Sequence, residues 1–367
     1  MAETPDWHPA RYLAPLYSPP SERPVLEALF GVESEVVASI RGGLEHQVAH
    51  IRLQWWREEC ERAAKGQAVH PFTKTLVEAF GLSAVAALAT KVAADAGSPY
   101  TTTHASPADL GASASVGAGA QPSPLAGLAG FVDTAVWDLA AATFETRREV
   151  TAYCERWATA MIVTAASHAA GEPANAGAPG GASGGRAQAP AQARSPAPAR
   201  SPAPAPAPSR APAPGSFNRG PWLTLGAAMH EIEMLANLAS EAHAGRLRVP
   251  LDELENAGID PDCVGRPPWP AGLNSLLISR HQTLRAQVAR GVAAVERDDQ
   301  PNARGLLVWA ALAWQRSARA ERALPNPLST SRFEAVGDGW LAWRSARRAM
   351  TSSFALAGTV APSHKSA

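Results

Sequence analysis

The chain has little of what sheets, disulfide scaffolds and membrane spans require. Alternating runs of Val, Ile, Thr and Tyr are nearly absent, and only 4 of the 367 residues are tyrosine, which excludes a sheet as the main architecture. Cysteine is scarce. Cys60, Cys154 and Cys263 are scattered without metal-ligand spacing, and an odd, unclustered set fits a reducing compartment better than a disulfide framework. An excess of one charge is also missing: 33 Lys and Arg balance 33 Asp and Glu, so there is no footprint for nucleic acid. No uninterrupted apolar run reaches the roughly 18 residues that span a bilayer. The opening Met1-Ala2-Glu3-Thr4-Pro5-Asp6 is unlike a signal or transit peptide. A cytoplasmic location is therefore expected, with contact at the periphery of the inner membrane left open. Nucleophile-elbow, P-loop, dinucleotide-binding and zinc-protease motifs are all lacking.

Present instead are Ala, Leu, Glu, Arg and Gln, all good helix formers. The fold class expected is all-α. Leu26, Leu29, Phe30, Glu33 and Val37 recur at helical steps, and a long helix from Glu45 to Ala64 follows the break at Gly42-Gly43, with Val48, Ile51 and Trp55 as its apolar stripe. Gly66 ends that helix, and Pro71 starts another through Phe72, Leu76, Val77 and Phe80. Helical patterning returns from Pro124 to Ala169, then over 221–244, 275–297, 303–321 and 333–352. Two stretches cannot drive burial. Residues 97–127 are Gly, Ser, Ala, Thr and Pro, and 170–214 are an Ala/Pro/Gly repeat, so both read as flexible insertions. The remaining residues are expected to form one helical domain over 10–350, with a tail at 351–367.

The most informative motif is Arg52-Leu53-Gln54-Trp55-Trp56-Arg57. On a helix, Trp55 and Trp56 diverge by about 100°, so one packs inward while the other lines a second surface with Arg52 and Arg57 nearby. Core packing and the lining of a lipid cavity are equally open for the pair. The arginines read as surface or ion-paired groups, with Glu58 or Glu61 as partners, or as contacts for a phosphate or lipid headgroup. His70 reads as a helix-start residue, Asp133 and Asp138 as solvated or capping groups, and Tyr153 and Cys154 as packing residues. Trp340 and Trp343 read as a docking face.

The Arg52–Arg57 motif resembles a helix of the squalene/phytoene synthase family. Further likeness lies in Arg11 to Tyr17, in Leu26 to Val37, in Tyr153-Cys154 followed by Ala158, and in the frame from Leu225 to Gly245-Arg246-Leu247-Arg248-Val249-Pro250. Trp340-Leu341-Ala342-Trp343-Arg344 is similar to the family's terminal helix. The chain looks most like the divergent branch similar to mitochondrial complex I assembly factors, and Glu35 falls on a glutamate of that branch. The resemblance implies a single isoprenoid-synthase-like helical bundle.

Active members of the family join two isoprenyl diphosphates and hold Mg²⁺ between two facing aspartate-rich motifs, because the leaving diphosphate needs hard cations on its oxygens. The first motif's frame falls here on Val37, Ala38 and Arg41, with no carboxylate. The second falls on Asn237 and Glu241, and Ala244 stands where a related metal motif would place a glutamate. His230, Glu233, Asn237 and Glu241 recur at three and four residues on one side of a helix. Three readings stand for this row: a solvent-facing edge opposite Leu225, Ala228, Ile232, Leu235 and Ala239, a remnant pocket wall, or a weak cation site.

The functional expectation is a protein that has lost its Mg-diphosphate motifs. It is expected to bind a prenyl lipid such as a quinone, or to assist assembly of a respiratory complex, with no cofactor. Glu35, Arg52, Trp55, Trp56, Arg57, His230 and Arg246 are the candidate pocket or headgroup contacts, and Glu233, Asn237 and Glu241 the remnant motif. The alternative is an active head-to-head prenyltransferase using Mg²⁺ on Glu33, Glu35, Glu233 and Glu241. A third reading is a membrane-surface adaptor using Arg344 to Arg348 and the neighbouring tryptophans.

Overall fold

A computed structural model describes residues 9–40, 45–83, 123–171, 217–329, 332–351 and 354–356. Among them there is no strand. The helices are α1 (Pro9–Tyr17), α2 (Arg23–Ala38), α3 (His46–Ala64), α4 (Pro71–Ala79), α5 (Ala129–Leu139), α6 (Arg147–Ala158) and α7 (Thr164–Ala169), the last two joined by a π turn at Thr159–Val163. After the second of the expected insertions come α8 (Arg219–Ala236), α9 (Leu238–His243), α10 (Leu251–Asn256), α11 (Ala271–Ala293), α12 (Arg304–Ala323) and α13 (Arg332–Thr351). Most of the expected insertion 97–127 and nearly all of 170–214 lie outside the described residues. Ser123 to Gly127 is ordered structure leading into α5, however, with Leu125 fully buried. The expected tail also starts later than its boundary. Phe354 is buried, and its N–H donates to Gln300 Oε1 at 2.8 Å.

One continuous hydrophobic core runs from Ala10 to Phe354. α8 is its axis, packed by α6, α11 and α12. That explains its composition: Trp222, Leu225, Ala228, Met229, Ile232 and Met234 are buried around the helix rather than along one stripe. The helix is not continuous to residue 244. Asn237 leaves helical geometry (φ −103°, ψ 13°) and separates α8 from α9. The expected run from Pro124 to Ala169 is broken as well. The chain turns between α5 and α6, and Glu149 reaches back to accept from the N–H groups of Thr146 (3.3 Å) and Glu145 (2.6 Å).

The stripe expected on α3 faces the wrong way. Val48, Ile51 and Trp55 are exposed, and the buried set is Ala49, Leu53, Trp56, Cys60 and Ala63. These repeat at four, three, four and three residues, a seam of mostly small side chains that lets α3 lie close against α4 and α5. The same seam carries Glu59, a fully buried carboxylate. Its oxygens accept from Val69 N–H (2.8 Å), His70 N–H (2.8 Å), Arg62 (2.9 Å) and the Thr73 hydroxyl. Burial pushes its pKa up, and these hydrogen bonds outweigh that and hold it below the ordinary value. Glu59 thus fixes the turn into α4. His70 N-caps that helix as expected, accepting from Phe72 N–H at 3.4 Å.

Close approach of α5 to α6 depends on Gly130. A Cβ there would sit 2.3 Å from the Arg156 carbonyl oxygen, which is backbone and cannot swing away. Gly226 plays the same part between α8 and α6, where a Cβ would meet Ala158 and Ile162 at 2.8 Å. Gly130→Ala is expected to lower stability by about 1–3 kcal/mol through overpacking, read as a lower urea midpoint with an unchanged slope.

Candidate functional site

Where α2, α5, α6 and α8 converge they line a partly open cavity of about 70 Å³. It is lined by the apolar Val36, Val37, Phe131 and Ala135 and by the polar or aromatic Glu33, Thr134, Asp138, Tyr153, Trp157 and His230. The His230 ring is stacked on Trp157 (centroids 4.3 Å apart, planes 11° apart) and lies near-parallel to Tyr153 at 5.6 Å. Its Nε2 is closed off from solvent and has no hydrogen-bond partner. Burial first, then the positive charge of Arg248, lowers the pKa of His230 to about 3, so the ring is neutral. Glu33, in the same lining, accepts from the Trp157 indole N–H at 2.8 Å and pairs with Arg11 at 2.9 Å.

Guanidinium groups close the rest of the site. Arg248, on the loop after α9, is buried and contacts Asp138 at 2.9 Å and Glu241 at 2.8 Å while lying over the Tyr153 ring. Asp138 also accepts from the Tyr153 hydroxyl at 3.1 Å. Arg246 binds Glu241 with both arms of its fork, at 2.8 and 3.1 Å. One turn up α8, Arg316 from α12 pairs with Glu233 at 3.1 Å and donates to Asn237 Oδ1 at 2.9 Å. The Asn237 amide donates in turn to Glu233. Behind the cavity, the buried Glu231 lies between Arg147 and Arg280, and Arg147 also binds Glu253.

The polar row of α8 and α9 is therefore half-buried and engaged with other side chains rather than standing free in water. His230 lines the cavity, and Glu233, Asn237 and Glu241 are each held by arginine. Arg246 belongs with them. Asp138, expected as a solvated or capping residue, is instead inside the site, because α5 turns it toward Arg248. Tyr153 does more than pack, since its hydroxyl is part of the same network. Other candidates are elsewhere. Glu35 is exposed on the far side of α2 from Glu33. Trp56 is buried against His70, and Trp55 sits outside it at 5.1 Å. Arg57 pairs with Asp133 at 2.8 Å rather than with Glu58 or Glu61. Arg52 is exposed, with no ion pair among the described residues. The α3 motif thus braces α5 from outside the site. Residues that sequence reasoning did not single out are Arg11, Trp157, Arg248 and Arg316. Only the Arg-Leu-Arg alternation before Pro250 carried a local signal, since an extended chain presents both arginines on one side.

The Mg²⁺ implied by the resemblance does not fit these residues. The first frame offers Val37 and Ala38, with Arg41 outside the described residues. The second offers Asn237 and Glu241, with Glu233 one turn before, and all three already take guanidinium groups on their oxygens. Among the described residues no three His, Cys, Asp or Glu side chains form a group that could hold a metal ion.

Two measurements probe this network. Arg248→Gln leaves Asp138 buried without its cation and is expected to cost about 3 kcal/mol or more, seen in equilibrium unfolding. The unfolded chain takes up a proton on His230 near the ordinary value of 6.5, whereas the folded chain refuses it down to about 3. Stability should therefore fall as pH drops through that window. His168, raised by its hydrogen bond to Glu22, has the opposite sign, and His281, lowered to about 4, the same sign. The share of His230 is read as the difference from His230→Phe, whose stability should fall less between pH 6.5 and 3.

No protein-family model matches the chain, and no curated protein matches it in sequence. Solved structures do. A dehydrosqualene synthase in complex with ligand superposes with a TM-score of 0.55 at 11% identity, covering 92% of each chain. The squalene synthase HpnC from Alicyclobacillus acidocaldarius gives 0.52 at 14% identity, over 86% of this chain and 89% of that one. The protein has an all-α fold like that of the squalene and dehydrosqualene synthases.

Proposed function

We propose that this chain is a non-catalytic protein of the squalene-synthase-like fold, working as a binding or assembly factor rather than as a prenyltransferase. The observation that carries the reading is the arginine clamp on the acidic row. Glu233 and Asn237 are tied to Arg316, and Glu241 to Arg246 and Arg248. Internal cations occupy the carboxylate oxygens that a metal–diphosphate complex would need, and the facing helix presents Val37. The cavity of about 70 Å³ is far below the several hundred Å³ of a typical small-molecule site, which favours a scaffold over a resident prenyl carrier. A role in respiratory complex assembly is carried by the chain's resemblance to the divergent branch of the family, with Glu35 on that branch's glutamate.

A second reading has one observation in its favour. The neutral His230, whose Nε2 has no hydrogen-bond partner, lines a cavity that also carries Val36, Val37, Phe131 and Ala135, a mixed lining that suits a polar-headed lipid such as a quinone once the helices part. Native mass spectrometry of the full chain separates the two, since a co-purifying isoprenoid would select the carrier.

For the main reading, the purified protein with Mg²⁺ and farnesyl or geranylgeranyl diphosphate is expected to release pyrophosphate no faster than a protein-free control. Release above that control, abolished by Glu233→Gln or Glu241→Gln, would establish the prenyltransferase instead.

A further inference from the structure

α13 carries an exposed apolar stripe that none of the packing above uses. Val336, Trp340, Trp343 and Met350 are 75, 62, 40 and 61% exposed. At about 100° per residue they fall, with Arg347, within an arc of roughly 80° on one side of the helix. Asp338, Ala342, Ser345, Ala346 and Ala349 form the opposite, buried side. The row is continuous: the Trp340 and Trp343 rings stack at 4.8 Å, and the Arg347 guanidinium lies over Trp343 at 5.4 Å. Arg344 and Arg348 are exposed along one flank. After Asp338, itself paired with Arg319 at 2.8 Å, the helix has no further acidic residue. Packed against α13 is α1, where Tyr12 and Leu16 are exposed as well.

We infer that this face of α13 docks on the surface of a bilayer containing anionic lipid. Tryptophan is the side chain best suited to the headgroup boundary, being apolar in body with one N–H to satisfy. Arginines beside it find phosphate at that depth, and each contributes when the lipid is anionic. The charge pattern favours this occupant over a second copy of the chain, because apposing two such stripes would bring two sets of arginines together with no acid to answer them. No helix of the described residues is long and apolar enough to cross a membrane, so the contact is one of a helix lying in the interface. The inference rests on α13 alone and is independent of whether the central cavity binds or transforms anything.

The test is co-sedimentation of the full chain with phosphatidylcholine vesicles and with phosphatidylcholine–phosphatidylglycerol vesicles. Wild type is expected to bind the anionic vesicles more tightly and to lose binding as salt rises. Trp340→Ala with Trp343→Ala should weaken partitioning by about tenfold or more, from the apolar area withdrawn. Arg344→Gln with Arg347→Gln should weaken it roughly fivefold per arginine, on anionic vesicles only. All four side chains are exposed, and circular dichroism checks that the variants fold. Failure of wild type to sediment with vesicles overturns the inference, as does equal sedimentation of both variants. So does a lipid-free dimer that the tryptophan variant abolishes in analytical ultracentrifugation, which would give the face to a second copy.

Discussion

Buried carboxylate met by guanidinium is the interaction on which this bundle depends. α8 runs through the centre of the protein and brings Glu231 and Glu233 with it, while Glu241 follows on α9. Glu231 is buried and Glu233 and Glu241 are half-buried, and an ionised carboxylate withdrawn from water is expensive unless paired and hydrogen-bonded. The chain answers each from a different element: Glu231 from α6 and α11, Glu233 from α12, and Glu241 from the loop that follows it. Those pairings fix how α8 is rotated, and its rotation places His230 against Trp157 and Tyr153.

The same pairings are what support the proposed non-catalytic reading. A metal ion and a guanidinium compete for the same lone pairs, and here the protein supplies the cation from its own sequence. With Asp138 also occupied by Arg248, the centre of the bundle has polar groups in number but few that remain unspent. His230 is the exception. Held neutral by burial, it keeps one nitrogen without a partner, and α2, α5, α6 and α8 leave only a small void beside it.

Much of the fold was legible because its signals are local. Helix formers, proline breaks and apolar steps mark α2, α4, α11 and α12 within a few residues. The stripe of α3 was misread because Ala49, Cys60 and Ala63 hardly register as hydrophobic, although small residues are what close packing selects. The exposed Val48, Ile51 and Trp55 are larger and drew attention away from them. The site was less legible still. That His230, Glu233, Asn237 and Glu241 share a helix side follows from spacing, but whether that side meets water or arginine depends on Arg316, some 80 residues away, and on Arg248 beyond a glycine turn. Asp138 was obscured in the same way, since nothing adjacent to it announces Arg248.

The ion pairs also join two lengths of chain that are far apart in sequence. Arg147 reaches Glu231 and Glu253, Asp138 reaches Arg248, and Trp157 lies against His230, each contact linking the residues up to 171 with those from 217 on. The bundle's unity therefore resides in non-covalent complementarity across this seam. A polypeptide nicked between Gly171 and Phe217 is therefore expected to keep its halves mated, as a split protein does.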